Sequence, residues 1–456
     1  MSKISDYLSA NAVRFEDDLC ELLRIESVSA DPARKPAMQK AASWVEGKLH
    51  ALGLATEIVP TSGHPMVLAE SAPVPGKPVV LVYGHYDVQP PDPLNLWTTP
   101  AFEPTRRNGN LYARGATDDK GQILTHIQSA EAWIRAEGSL PIQLKFVIEG
   151  EEEVGSEAIT AFLPANAKRL ACDCVVISDG SKFSRDIPAI TYGLRGIAYY
   201  ELRLTGPNRD LHSGSFGGSV TNPAIALAKM LAALIDGHGR VQVPGFYDDV
   251  LPLSDLERKS LASLPFVEAE YFAAIGVNGA LGEEGFTALE RRCARPTFDV
   301  CGLTSGYQGE GAKTVLPSKA SAKFSFRLVP NQLPEKISAA LNKWVTEHTP
   351  PGIKAELIDF HGAPGVIVPL ESPFVTAASK ALEQAFGRAP VFTREGGSIP
   401  IVSAFYNALR ADTLLLGWGQ DDDNTHSPNE KFCLADFHRG TAASAALWGE
   451  IAKIAK

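Results

Sequence analysis

The sequence predicts an α/β protein with a mixed, mostly parallel sheet that has helices on both faces, and with a ferredoxin-like α+β domain inserted into it. Helix and strand patterns alternate through the first 180 residues and resume at residue 372, which is typical of an α/β sheet. Several strand patterns are unbroken apolar runs, as in strands that are buried on both faces. Between these two stretches the strand patterns alternate instead, which indicates a sheet with one exposed face.

The first part of the chain predicts helices and strands in turn. Apolar residues recur at helical spacing over two stretches, each followed by a glycine that can end the helix: residues 38–49 before Gly53, and residues 123–134 before Gly138. A continuous apolar run predicts a buried strand over residues 79–83, and residues 142–148 and 174–177 predict two more strands. Ligands of such sheets bind beyond the carboxyl ends of the strands, so we expect a site in the loops that follow these strands.

The inserted domain is predicted over residues 196–362. Its elements are, in order, a strand at 197–205, a helix at 223–235, a long variable stretch, a strand at 320–329, a helix at 334–345 and a strand at 353–360. The α/β pattern then resumes, because Ser372 can cap a helix that has Pro373 in its first turn and Gly387 at its end. Residues 413–416 predict one more buried strand. We therefore expect a discontinuous main domain, residues 1–195 and 363–456, around the insertion.

Composition and charge exclude several classes of protein. The 456 residues are 45% hydrophobic and 21% charged, which is ordinary for a globular protein of two or three domains and argues against a disordered chain. The net charge of −10 argues against a nucleic-acid or anionic-membrane partner. No apolar run approaches the roughly 20 residues of a membrane span, and the N-terminus lacks a signal-peptide core. The six scattered cysteines predict reduced thiols and a cytoplasmic location.

Five short segments carry most of the residues with chemistry, and each lies at the end of a strand pattern or in a loop: Gly84–Asp87, Ala113–Gly121, Glu149–Ser156, Ser178–Gly180 and Asn424–Ser427. Taken alone, each has a plain alternative as a surface turn, a helix N-cap or a solvated acidic loop. Together they bring two histidines and several acids to the carboxyl ends of one sheet. Mixed imidazole and carboxylate ligands suit zinc or manganese, so the sequence predicts a metal site there.

These segments resemble those of the co-catalytic dizinc metallopeptidases, a family that includes carnosinase, succinyl-diaminopimelate desuccinylase, acetylornithine deacetylase and the glutamate-releasing carboxypeptidases. The resemblance is carried, in order, by GHYDVQP (84–90), ARGATDDKG (113–121), EGEEEVGS (149–156), SDG (178–180), DLHSG (210–214), TREGGSIP (393–400) and His426. Within the family, the segments 190–196, 311–330 and 393–400 are most similar to the carnosinase or cytosolic nonspecific dipeptidase branch. The resemblance implies a zinc-peptidase-like catalytic domain with an inserted lid and dimerisation domain.

The resemblance also implies a site for two divalent ions, zinc first, with manganese or cobalt as the alternatives. His85, Asp118 and Asp179 would bind one ion. Asp118, Glu153 and His426 would bind the other, so that Asp118 bridges the two. The peptide bond that follows this bridging aspartate would be cis, as in the family. A water between the metals would then be the nucleophile.

A general base is implied by the same alignment. Glu152 aligns with that base, and Asp87 aligns with a carboxylate behind His85, where it can fix the tautomer of the imidazole. Glu151 stands where dipeptidase relatives often have an uncharged residue. This leaves open a shifted register with Glu151 as the base and Glu152 as the ligand, although the EE-x-G-S spacing favours Glu152 and Glu153.

Substrate contacts are implied at five further positions. Arg327 would hold the free carboxylate of the substrate, together with the turn at Gly397 and Ser398. His212 would help to stabilise the oxyanion in the active site of a neighbouring subunit, which implies a homodimer, and His361 would line the pocket.

The function predicted on these grounds is metal-dependent hydrolysis of dipeptides, or similar short peptides, that carry a free C-terminal carboxylate. The nearest alternative is an N-acyl-amino-acid deacylase or desuccinylase of the same family, which would share the ligands and the water. An alternative of another class is an inactive binding or scaffold protein that retains the fold. That alternative predicts the loss of the base or of ligands, and all of them are present in the sequence.

Overall fold

The structure is a computed structural model, and it describes residues 3–279, 281–396 and 400–455. The chain divides into two compact units. The first contains the described residues up to Tyr192, Val368–Thr393 and the described residues from Ala404 onwards, and the second contains Gly193–Ile367 and the described part of Arg394–Ser403. The domain limits expected from the sequence, at residues 195/196 and 362/363, stay a prediction.

Most elements of the first unit precede the insertion. In chain order they are α1 (Lys3–Ala10), α2 (Ala12–Leu23), α3 (Lys35–Ala51), β1 (Ala55–Val59), β2 (Met66–Glu70), β3 (Val79–His85), β4 (Thr105–Arg107), β5 (Asn110–Tyr112), α4 (Lys120–Glu137), β6 (Gln143–Glu149), α5 (Glu157–Leu170), β7 (Cys174–Ile177) and β8 (Ala189–Leu194).

The second unit continues from the end of β8. Its elements are β9 (Gly196–Thr205), β10 (Leu211–His212), α6 (Ser213–Phe216), α7 (Pro223–Ala233), α8 (Asp255–Ser263), α9 (Glu268–Ala274), α10 (Ala288–Ala294), β11 (Thr297–Ser305), β12 (Val315–Leu316), β13 (Lys319–Leu328), α11 (Pro334–His348), β14 (Lys354–Ala363) and β15 (Val366–Ile367). The C-terminal part of the chain adds α12 (Pro373–Phe386), β16 (Val391–Glu395), α13 (Pro400–Leu409), β17 (Asp412–Leu416), β18 (Lys431–Cys433) and α14 (Leu434–Ile451).

The main sheet has nine strands in the described part of the chain, in the order β1-β2-β6-β3-β7-β17-β8-β15, and β16 also pairs with β8. Its centre is parallel, because β3 pairs in parallel with β6 and β7, and β17 pairs in parallel with β7. The strands β1, β2 and β8 join the sheet by antiparallel pairing. This confirms the predicted mixed, mostly parallel sheet. Because the central strands run in one direction, their carboxyl ends lie at one edge, where His85 pairs with Glu149 and Tyr83 with Ile177.

Helix ends follow the residues that predicted them. The Oγ of Ser372 accepts a hydrogen bond from the backbone N–H of Phe374 at 3.2 Å, so it caps α12 as expected. Gly387 and Gly138 end α12 and α4 in the left-handed conformation, with φ of +70° and +82°. The apolar faces of these helices, together with those of α2, α3 and α14, join the sheet in one hydrophobic core.

The second unit is built on a four-stranded antiparallel sheet of its described residues, in the order β11-β13-β9-β14. The chain order β9-α7-β11-β13-α11-β14 places the first strand between the third and the fourth, which is the ferredoxin-like arrangement. This confirms the predicted fold class. Strand β11 was not predicted, because its largely exposed residues give little burial pattern and a bulge between Val300 and Gly302 interrupts its pairing.

Among the described residues, no helix has both the length and the apolar character that crossing a membrane requires.

Candidate metal centre

The five residues implied as metal ligands all belong to the first unit, and each lies at or beyond the end of a strand. His85 is the last residue of β3, and Asp118 lies in the loop just before α4. Glu153 follows β6, Asp179 follows β7, and His426 lies in the turns between β17 and β18. Since β3, β6, β7 and β17 are parallel neighbours, their following loops converge at one edge of the sheet.

One group of potential ligands surrounds the imidazole of His85. Its Nε2 lies 3.2 Å from Oδ1 of Asp118 and 3.8 Å from Oδ2 of Asp179. The side chain of His85 is fully buried, and this Nε2 has no hydrogen-bond partner among the described residues. A buried imidazole nitrogen without a hydrogen bond that faces two carboxylates has the surroundings of a metal ligand.

A second group surrounds the imidazole of His426. Its Nε2 lies 2.9 Å from Oδ2 of Asp118 and 3.1 Å from Oε2 of Glu153. Within each group, the potential ligand atoms all lie within 4.8 Å of one another. Asp118 turns one carboxylate oxygen to each histidine, so it is placed to bridge two ions.

The residues of both groups fit divalent metal ions. Each group combines one imidazole with two carboxylates, a donor set that suits zinc or manganese. The peptide bond between Asp118 and Asp119 is cis, as the resemblance implied. The observation that supports a metal most directly is the buried Nε2 of His85, which faces two carboxylates and finds no hydrogen bond in the part of the chain that the structure describes.

The carboxylates of the site are crowded. Burial raises the pKa of Asp179 to about 7, and the neighbouring charge of Asp118 adds to this effect. Burial likewise raises the pKa of Glu152 to about 8, where the positive charge of His85 opposes the rise and the negative charge of the Asp179 carboxylate adds to it. Both groups therefore hold a proton more readily than an ordinary carboxyl, because burial disfavours their charged form and the neighbouring carboxylates add negative charge.

The histidines respond to the same negative charge. Contacts with Asp118 and Glu153 raise the pKa of His426 to about 10. Burial opposes the charged form of His85, but the carboxylates of Asp118 and Asp87 outweigh it and hold its pKa well above the usual value. Burial alone would raise the pKa of Asp118, yet the two imidazoles keep it well below its ordinary range. Divalent cations would supply the positive charge that protons supply in the metal-free chain.

Asp87 lies behind this site and connects two of its segments. Its carboxylate is fully buried and lies 3.3 Å from Nδ1 of His85. The same carboxylate accepts hydrogen bonds from the backbone N–H groups of Glu152 and Glu153, at 3.3 and 3.1 Å. Nδ1 of His85 also lies 3.1 Å from the backbone carbonyl oxygen of Asp87, so Asp87 contacts the imidazole and holds the turn that carries Glu152 and Glu153.

The three acids of that turn have different surroundings. Of the three, Glu153 is the one that contacts His426. Beyond the effect of burial, the pKa of Glu152 is lowered by the charge of His85 and raised by that of the Asp179 carboxylate, so Glu152 lies close enough to both to interact with them. The carboxylate of Glu151 lies against Gly63, so closely that a Cβ at Gly63 would come within 1.7 Å of its Oε1. This arrangement supports the register with Glu153 as ligand.

Other residues at the site were not singled out from the sequence. The side-chain amide of Gln89 donates to Oε2 of Glu153 at 2.9 Å. Asp119 accepts a hydrogen bond from the backbone N–H of His85 at 3.2 Å, and Gly84 permits this approach, because a Cβ there would lie 2.6 Å from Oδ2 of Asp119. Gln89 and Gly84 lie inside the motif GHYDVQP, so their position in that motif was the available signal.

Three of the residues implied for substrate binding lie in the second unit. His212 ends β10, and its Nδ1 accepts a hydrogen bond from the backbone N–H of Gly214 at 3.0 Å. Arg327 is on β13, paired with Thr297 of β11, and His361 is on β14, where its ring stacks on Tyr199. The other two, Gly397 and Ser398, lie outside the described residues.

Comparisons with known proteins agree with this arrangement. The family model "Peptidase family M20/M25/M40" matches residues 81–450. The chain is 36% identical to a Cys-Gly metallodipeptidase of Candida albicans, over 94% of this chain and 92% of that protein. It is 32% identical to the human Beta-Ala-His dipeptidase, over 100% of this chain and 93% of that protein.

A solved structure gives the same result. The M20 family metallo-carboxypeptidase Sso-CP2 of Sulfolobus solfataricus is 31% identical, and the alignment covers 96% of this chain and 99% of that one with a TM-score of 0.86. Family match, sequence relatives and fold thus agree over nearly the whole chain, and the chain belongs to peptidase family M20/M25/M40, in which it is a metallopeptidase of the dipeptidase type.

Proposed function

We propose that this protein hydrolyses dipeptides, or similar short peptides with a free C-terminal carboxylate, at a site that holds two divalent metal ions. The observation that carries the proposal is the shared position of Asp118, whose two oxygens face His85 and His426 respectively. The names of the relatives, a Cys-Gly metallodipeptidase and a Beta-Ala-His dipeptidase, support a dipeptide as the substrate.

The ions would be held by His85, Asp118 and Asp179 on one side, and by Asp118, Glu153 and His426 on the other. Bound there, they supply Lewis acidity, which lowers the pKa of water and polarises the scissile carbonyl. Zinc is our first choice, and manganese or cobalt could take its place, since imidazole and carboxylate ligands suit all three.

Glu152 is our candidate for the general base. It adjoins the ligand Glu153 in sequence, and its surroundings raise its pKa towards neutrality, which suits a group that must both accept and donate a proton. Its carboxylate would take the proton of the attacking water and then deliver it to the leaving nitrogen. Asp87 would support this role by holding the backbone of Glu152 in place.

The remaining parts of the proposal concern the substrate and the assembly. Arg327 would bind the substrate carboxylate with Gly397 and Ser398, and His361 would line the pocket. His212 would act in the neighbouring subunit of a homodimer. A cytoplasmic location, suggested by the scattered cysteines, completes the proposal.

The substitution Glu152→Gln tests the central step, with Glu151→Gln as the matched control. We expect Glu152→Gln to keep both metal ions while kcat falls by about 10²- to 10⁴-fold, because the amide cannot accept the proton. Glu151→Gln should keep most of the activity. The opposite pattern would favour the shifted register, and a Glu152→Gln protein with nearly unchanged turnover would refute the assignment.

The substrate class is tested by a panel of dipeptides against N-acetyl and N-succinyl amino acids. Faster hydrolysis of dipeptides supports the proposal, whereas faster hydrolysis of the acylated amino acids would make the protein a deacylase.

The homodimer is tested by mixing His212→Ala and Glu152→Gln chains. If His212 serves the neighbouring site, the mixture should regain activity, because one site of each hybrid has both residues.

A further inference from the structure

A buried ion pair lies beside the candidate metal centre. Nη1 of Arg114 donates to Oε2 of Glu430 at 2.8 Å, and the two side chains are 1% and 0% exposed. The residues are 316 positions apart in the chain. Neither was implied as a ligand or as a base, so the function proposed above leaves this pair without a role.

Glu430 uses both carboxylate oxygens to hold the loop that carries Asp118. Its Oε2 also accepts a hydrogen bond from the backbone N–H of Gly115 at 2.9 Å. Its Oε1 accepts from the backbone N–H groups of Thr117 and Asp118, at 3.0 and 3.2 Å. The backbone at the bridging aspartate is thus bound directly by a carboxylate from the C-terminal part of the chain.

Arg114 extends the connection to the segment that carries His85. Its Nη2 donates to the backbone carbonyl of Pro90 at 3.2 Å, at the end of the motif GHYDVQP. Glu430 itself lies four positions after His426 in the sequence. One ion pair therefore joins the three segments that supply His85, Asp118 and His426.

A second connection reinforces the segment around His426. Oγ1 of Thr117 lies 2.6 Å from the backbone carbonyl oxygen of Lys431 and 3.0 Å from Oδ2 of Asp423, and these two acceptors share its one proton. The Nζ of Lys431 lies 2.7 Å from the other oxygen of Asp423. The turn that presents His426 thus begins and ends at residues bound to Thr117, next to Asp118.

We propose that Arg114 and Glu430 are positioning residues, which set the metal affinity of the centre by fixing Asp118 relative to His85 and His426. The inference rests on the function proposed above, since it requires that these residues bind metal. Groups that orient metal ligands typically contribute 10- to 100-fold to affinity, and a carboxylate that bridges two ions must satisfy two geometries at once. Removing one partner of a buried ion pair also leaves the other charge uncompensated, so the loop would shift to solvate it.

The test is the metal affinity of Glu430→Gln, measured by competition with a chromophoric zinc chelator. The matched control is Glu283→Gln in the second unit, because Glu283 is also buried and pairs with Arg295 at 2.6 Å and with Arg240 at 2.8 Å. We expect Glu430→Gln to lose zinc affinity by about 10- to 100-fold and Glu283→Gln to lose none. At saturating zinc, Glu430→Gln should regain most of its kcat with an unchanged KM for the dipeptide.

A purely structural role predicts a different result. In that case both variants would melt at a lower temperature, and Glu430→Gln would bind zinc as tightly as the wild type, which would overturn the inference. Should Glu430→Gln fail to fold, Arg114→Lys is the second variant. Lysine keeps a positive charge beside Glu430 but lacks the second guanidinium nitrogen, which donates to the backbone carbonyl of Pro90. We expect Arg114→Lys to show a smaller loss of zinc affinity. An Arg114→Lys protein with wild-type affinity would then overturn the inference. If the wild type itself bound none of zinc, manganese and cobalt, the proposed function would fail instead.

Discussion

His126 provides a prediction whose magnitude follows from its surroundings. It lies on α4 and is completely buried, with its Nε2 2.9 Å from the hydroxyl of Ser178 and its ring packed near Trp418 and Trp448. Burial lowers the pKa of this imidazole from 6.5 to about 3. The folded protein therefore keeps His126 neutral over a pH range in which the unfolded chain binds a proton there.

Stability should consequently fall as the pH is lowered below about 6.5, because the unfolded state gains a proton at His126 that the folded state excludes. With values of 6.5 and about 3 for the two states, the loss of stability from this one residue is about 2 kcal/mol at pH 5 and well below about 1 kcal/mol at pH 7. The loss would stop growing once the pH fell below about 3, where both states are protonated.

Urea unfolding of the wild type and of His126→Gln, at pH 7 and pH 5 in the presence of a chelator, measures this difference. Tryptophan fluorescence, to which Trp418 and Trp448 beside His126 contribute, follows the unfolding. We expect the wild type to lose about 2 kcal/mol more than His126→Gln between the two pH values. His50→Gln, at an exposed histidine, is the control and should behave as the wild type. Equal losses in the wild type and in His126→Gln would refute the argument.

Three further predictions concern the metal centre and its loops. Zinc affinity should rise between about pH 6 and pH 8, because Asp179 and His426 must release protons to bind metal. The pKa of Asp179 is about 7 and that of His426 is about 10. Calorimetry in two buffers counts the protons that are released when zinc binds. Chelation should abolish dipeptide hydrolysis and added zinc, manganese or cobalt should restore it, so full activity in the metal-free protein would contradict the proposal. Gly115→Ala should cost roughly 1–3 kcal/mol in urea unfolding, because φ at Gly115 is +82° and the new Cβ would lie 2.6 Å from Cγ1 of Val88.

The parts of the fold that could be predicted are those in which burial leaves a simple pattern. The central strands β3, β7 and β17 are buried on both faces, so their sequences consist largely of apolar runs. Capping residues such as Ser372 and Gly387 act within one turn of the chain, so the limits of α12 could be read locally.

Elements without such a pattern were missed. The short strands β4, β5 and β18 have three residues each, too few for any period to show. Strand β11 is largely exposed and bulged, so neither alternation nor an apolar run marks it. These strands depend on pairing with distant segments, as when β18 pairs with β5, and such partners leave no signal in the local sequence.

The candidate site was predictable for a different reason. Each potential ligand follows a predicted strand or lies in a loop, and the parallel strands bring these loops to one edge, but the position alone does not distinguish Glu153 from its acidic neighbours. The resemblance to a family supplied that choice. It could not supply Glu430, because Glu430 acts through backbone N–H groups of residues more than three hundred positions away, and any residue type offers those groups.

The electrostatics of the site provide an argument that is independent of any resemblance. Three potential ligand carboxylates and Glu152 crowd around two imidazoles. The raised pKa values of Asp179, Glu152 and His426 mean that bound protons offset this negative charge, and no lysine or arginine of the described residues is among the causes of those shifts. A solvated acidic loop would not need this compensation, because water would screen its charges. Two divalent ions would exceed the charge of the three ligand carboxylates by one, and that remaining positive charge is what favours the loss of a proton from water. The same excess would lower the pKa of Glu152, so the base would be ready to accept that proton near neutral pH only when the ions are bound.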